Sequence, residues 1–223
     1  MEIFARSIPD AWYQCLYNLW DNCHHYKNQK GSFVGEERFE YDFIRVKINM
    51  AYRDPWEHML PVIPSHMNLP APVTIQYLHD YVPYIMSSQK KENEIYTYGE
   101  RIWPQVPEII LMLKATPKTN HAILQVSKRS DIYLDDPPCL RDIRIKIIDD
   151  KLVFYVSFRS WDLWAGFPCN LPALAILQCY IADALNIPIG GMDASSNGLH
   201  IYGYAESIAK IRTNFKKEEK KKE

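Results

Sequence analysis

Residues 170–186, NLPALAILQCYIADALN, are apolar on nearly every side, so a helix formed there has to be covered all round and belongs at the centre of a domain. Just upstream, Ile143, Ile145 and Ile147 alternate with polar residues, Asp149 and Asp150 offer a turn, and Leu152, Phe154, Val156 and Phe158 alternate again. That is the pattern of a long β-hairpin with one apolar face. A fully buried helix beside a one-sided sheet restricts the chain to a layered α/β (α+β) fold with helices covering one side of the sheet.

The remaining segments fit that plan. Residues 9–25 repeat Trp12, Cys15, Leu16, Leu19, Trp20 and Cys23 at helical spacing and predict a packing helix. Residues 27–36 read as a loop, and 40–50 as one imperfectly alternating strand through Phe43, Val46 and Ile48. Five prolines between Asp54 and Pro72 predict an irregular connection. Residues 73–86 read as a helix interrupted or ended near Pro83, and 105–116 as an amphipathic helix. The run GLHIYGY, 198–204, closes the fold as a strand whose His200, Tyr202 and Tyr204 share a face. One domain is expected over 1–215, followed by a solvated Lys/Glu tail over 216–223.

Charge and cysteine usage narrow the partners. The 26 Lys and Arg nearly cancel 27 Asp and Glu, so no overall field draws the chain to nucleic acid or an anionic membrane, and neither is an expected partner. No apolar stretch reaches spanning length, and a cytoplasmic protein is expected. Cysteines 15, 23, 139, 169 and 179 are odd in number and form no C-x-x-C pair. That argues against a disulfide framework and a structural zinc site; no metal is expected.

Two short stretches concentrate the polar chemistry. In DDPPCLRD, 135–142, Pro137 and Pro138 fix the backbone ahead of Cys139, at the mouth of the strand that follows. Cys139 is either a held thiol for nucleophilic attack or a small buried hydrophobe. In FRSWDLWAGFPCN, 158–170, Arg159 beside Ser160 suits a phosphate, because a guanidinium matches its oxygens bidentately. The same arginine could instead pair with Asp162. Asn170 could cap the central helix or meet a pyrimidine edge, and His200 could be a satisfied structural histidine.

The order PPC, hairpin, RSxD, GxPxN, apolar helix and HIY, with TYGERI and PKTNHA upstream, resembles the catalytic half of thymidylate synthases over roughly residues 96–204. The wording is most similar to the compact enzymes of methanogenic archaea. The resemblance implies a homodimer with strongly twisted mixed sheets packed back to back. It implies conversion of dUMP to dTMP, with 5,10-methylene-tetrahydrofolate or 5,10-methylene-tetrahydromethanopterin as co-substrate. Residue by residue, it implies that Cys139 adds to C6 of the pyrimidine, with cations such as Arg159 favouring its thiolate. Arg159 and Ser160 would hold the phosphate, Asn170 the uracil edge, His200 and Tyr202 the deoxyribose 3′-hydroxyl, and Asp162 the pterin.

The chain departs from the family at four places. Leu140 replaces the histidine after the cysteine; Thr119, Asn120 and His121 stand where paired arginines reach across the dimer. Arg38 and Arg101 are therefore the candidate substrate-binding replacements. The helix at 75–85 has no glutamate for the family's general base, leaving Glu100 and Glu57 as the nearest acidic alternatives. The C-terminus is charged where the family's is apolar. Two other readings remain: a hydroxymethylase acting on dUMP or dCMP, and a silent homologue that binds a nucleotide or RNA.

Overall fold

The computed structural model describes residues 1–215 except Ser32 and Arg53; the charged tail expected at 216–223 lies outside the described residues. Among the described residues, ten strands form two sheets. The larger has the order β1-β4-β9-β7-β6-β5, from β1 (Glu2–Ser7), β4 (Ile44–Met50), β9 (Ile189–Ser196), β7 (Lys151–Phe158), β6 (Leu140–Ile148) and β5 (Ile123–Gln125). It is mixed: β1 runs parallel to β4 and β7 parallel to β9, while the other pairs are antiparallel. The smaller sheet has the order β2-β3-β10-β8, from β2 (His24–Lys27), β3 (Glu37–Tyr41), β10 (Leu199–Tyr202) and β8 (Trp161–Asp162).

The hairpin forms in the expected register, Ile143 opposite Val156, Ile145 opposite Phe154 and Ile147 opposite Leu152. Asp149 and Asp150 both take positive φ, at 50° and 57°, which matches the twist of a two-residue hairpin turn. Its apolar face meets the central helix α5 (Phe167–Leu185), whose sides are buried almost throughout. Gln178 interrupts that apolar surface: its buried amide nitrogen donates to the Leu152 carbonyl at 2.7 Å, while its oxygen has no partner among the described residues. The first helix, α1 (Ile8–Asn22), starts at Ser7, whose hydroxyl accepts from the Asp10 N–H, and buries Trp12, Cys15, Leu16 and Leu19.

Several elements differ from expectation. Residues 40–50 are two strands in two sheets, because the chain turns at Asp42–Phe43 and leaves Phe43 half exposed while Tyr41 and Ile44 enter the core. Helix α2 (Ile75–Met86) runs through Pro83; the ring removes only the bond to the His79 carbonyl, on an exposed side. Strand β9 occupies a stretch, with two adjacent glycines, to which the sequence reading assigns no element. Gly191 is needed there because a Cβ would lie 2.5 Å from the Ile48 carbonyl of the neighbouring strand. Tyr204 leaves the face of His200 and Tyr202: β10 stops at Tyr202, and a last helix, α6 (Gly203–Thr213), closes the described chain. Two shorter helices, α3 (Tyr98–Ile102) and α4 (Val106–Ala115), complete the helical layer. No helix among the described residues is long and apolar enough to cross a membrane.

Candidate active site

The small sheet is the platform of the site. In its register Tyr202 of β10 lies opposite Arg38 of β3, and His200 lies between Glu40 of β3 and Asp162 of β8. The hairpin supplies the other wall: Cys139 immediately precedes β6 and Arg159 immediately follows β7, joined by Arg159 N–H donating to the Cys139 carbonyl at 2.8 Å. Together Cys139, Arg159, Ser160, Asp162, His200, Tyr202 and Arg38 line one cavity of about 480 Å³. Tyr155 and Ser157 do not line this cavity: Tyr155 borders a separate one, and Ser157 accepts from Arg144.

Arg159 explains why two prolines precede the cysteine. Its guanidinium donates to the Pro137 and Pro138 carbonyls and pairs with Asp136 at 2.9 Å, so it clamps the turn that presents Cys139. Its acidic partner is thus Asp136, where the sequence suggested Asp162. Arg159 and Arg38 do favour the Cys139 thiolate, but burial outweighs them, and the thiol's pKa lies above its ordinary value. The Leu140 side chain is core, while its N–H donates to the Tyr98 hydroxyl at 3.4 Å.

Arg38 donates to Ser160 Oγ at 2.8 Å and forms an ion pair with Glu40. His200 is neutral: burial, reinforced by Arg38, lowers its pKa to about 3. Nδ1 lies 2.9 Å from the Gly198 carbonyl and 3.0 Å from the Arg38 guanidinium; with the proton assigned to Nδ1 for the carbonyl, Nε2 is a buried acceptor with no partner among the described residues. Asp162 accepts from the Trp164 and Ala165 N–H groups and the Tyr204 hydroxyl, and burial raises its pKa.

A second cavity of about 520 Å³ shares Asp162 with the first and is walled by Pro72, Val73, Tyr77, Tyr81 and Asn170. Asn170 sits in the first turn of α5, but its side chain does not cap the helix; it bonds Trp161 and Tyr81. Arg101 is not in either cavity. Its side chain is 5% exposed and pairs with Asp131 at 2.7 Å, which removes it from the candidate substrate cations. Glu100 and Glu57 line neither cavity, and Thr119, Asn120 and His121 stand outside both.

Lys30 lines the first cavity and was missed; the only trace in the sequence is the adjoining Gly31, which takes φ 82° and turns the loop. Tyr81 was missed as well, although Tyr77, Tyr81 and Tyr84 recur at helical spacing, a stripe that reads as ordinary packing.

A family model described as thymidylate synthase matches residues 16–222. A protein of Methanococcoides burtonii, provisionally named thymidylate synthase, is 27% identical over 217 residues, covering 94% of this chain and 93% of its own. A Methanosarcina mazei protein named in the same way is 26% identical and covers 91% of this chain and 89% of its own. The solved structure of thermostable thymidylate synthase A from Bacillus subtilis superposes with a TM-score of 0.72 at 13% identity, over 95% of this chain and 85% of that one; it supports the fold alone.

Proposed function

The chain belongs to the thymidylate synthase family, and on that premise we propose that it converts dUMP to dTMP by reductive methylation, with Cys139 adding to C6 of the pyrimidine. The observation that carries this reading is the single cavity that gathers Cys139 with two arginines, Ser160 and a histidine holding a free acceptor. Arg159, Ser160, Arg38 and Lys30 offer donors for the phosphate, which competes with Asp136 for the outer edge of Arg159. His200 Nε2 accepts the deoxyribose 3′-hydroxyl beside Tyr202, and Asn170 meets the uracil edge.

Attack at C6 by the thiolate leaves C5 electron-rich, ready to bond a one-carbon unit. A methylene-tetrahydropterin would supply that unit and the hydride that reduces it; C5 gives up its proton, and Cys139 leaves C6 as the thiolate when the hydride arrives, releasing dTMP. The second cavity fits such a co-substrate: Tyr77 and Tyr81 stack with centroids 6.2 Å apart, giving a flat ring a face to lie on, and Asp162 borders both cavities. The co-substrate in this reading is the folate or the methanopterin form. The chain acts as a homodimer in this reading, with the open, polar face of the large sheet, where Arg45 pairs with Glu2 and Asp193, as the surface between copies.

Incubating the protein with dUMP and each methylene-pterin, with mass analysis of the product and light scattering of the enzyme, tests all three parts. dTMP from a dimer is expected. A hydroxymethyl nucleotide would make the enzyme a hydroxymethylase, and a monomer that turns over would remove the dimer.

A further inference from the structure

Asn170 is held at both ends of its amide. Its oxygen accepts from the Trp161 indole N–H at 3.0 Å, and its nitrogen donates to the Tyr81 hydroxyl at 2.6 Å. The two neighbours are not equivalent. An indole N–H only donates, so the amide atom facing it must be the oxygen; a phenol both donates and accepts and serves either end. Nor can the indole turn away. It is 1% exposed and stacked between Phe158, at 4.2 Å and 5° between planes, and Phe167, at 4.4 Å and 19°.

The geometry points to Trp161 as an orientation lock that makes the site select a uracil nucleotide over a cytosine nucleotide by forbidding the Asn170 amide to flip. This rests on the proposal that Asn170 meets the base. With Trp161 and Tyr81 counted, the amide retains one carbonyl lone pair and one N–H, the latter engaged only in a long 3.7 Å contact with Cys169 Sγ that a ligand acceptor can displace. Uracil presents O4, an acceptor, beside N3–H, a donor, and the pair matches. Cytosine presents an amino group beside a bare N3, the reverse order. A freely turning amide serves both edges equally, so an asparagine alone does not discriminate. Here, turning it sets the amide NH2 against the indole N–H, two donors facing each other in a buried site, which leaves both unsatisfied.

Trp161→Phe keeps an aromatic ring in the stack and removes only the N–H. Binding of dUMP and dCMP by calorimetry is the readout, since a purely structural role would weaken both nucleotides together. The dUMP-to-dCMP affinity ratio is expected to fall roughly 10- to 100-fold, mainly because dCMP binds more tightly. An unchanged ratio in a folded variant, with the native protein selective, overturns the lock while leaving the proposed function standing. Tyr81→Phe decides the matter if Trp161→Phe does not fold: with the indole in place the ratio is expected to hold within about threefold, and its collapse would overturn the assignment to Trp161. A native protein that binds neither nucleotide sinks the functional reading and the lock with it.

Discussion

Cys139→Ala is expected to abolish dTMP formation, a loss on the order of 10⁴-fold or more, because the nucleophile has no stand-in. The other four cysteines are poorly placed to replace it. Cys15 and Cys169 are buried, with thiol pKa values driven up by desolvation, and neither Cys23 nor Cys179 lines the cavity. Incubation with 5-fluoro-dUMP and the methylene donor should therefore give the native protein a stable mass increase, which the variant lacks. An adduct that persists in Cys139→Ala would place the chemistry on another residue. The pH dependence follows from the raised thiol pKa. Below that pKa the thiolate fraction grows about tenfold per unit, so kcat/KM should climb with pH through the neutral range. A profile flat from pH 6 to 9 would mean that the attacking thiol is already ionised before the nucleotide arrives.

The parts of this site that were legible in the sequence are those carried by contiguous motifs. Cys139 after its prolines and Arg159 beside Ser160 end two strands of one hairpin, so their meeting follows from the alternating pattern and the Asp149–Asp150 turn. His200 and Tyr202 are two apart on a strand and share a face by pleating alone. What was not legible depends on long-range register. The four-stranded sheet rests on β2, whose residues are all exposed and carry no burial pattern, and on its pairing with β3. Asn170 read as a possible cap because its side-chain partners, Trp161 and Tyr81, lie on other elements, the latter 89 positions away. Arg101 read as a ligand for the same reason in reverse: nothing local indicates that Asp131 comes to meet it.

Removing that arginine should unfold the protein more than any other single change considered. Arg101→Leu is expected to lower stability by about 3–5 kcal/mol, the usual consequence of leaving one partner of a buried ion pair uncompensated. The two side chains are 5% and 2% exposed, and Arg101 also donates to the Val126 carbonyl and lies 4.9 Å over the Tyr96 ring. Asp131 in turn accepts from the Lys128 N–H at 2.8 Å and so shapes the loop whose Ile132 and Leu134 border the cavity that holds Cys139. The sign with pH separates a charge effect from a packing effect. Arg101 holds the Asp131 pKa below its ordinary value, so the pair's stabilisation is complete above the unfolded carboxylate pKa, about 4, and fades as pH falls through the lower folded one. In the variant the bare carboxylate is buried without a counter-ion, and protonating it relieves the cost. The gap between native and variant urea midpoints should therefore be widest near pH 7 and narrow markedly by about pH 3.5. A gap that stays constant across that range would assign the loss to the missing arginine's packing, and the ion pair would no longer account for the buried position of Arg101.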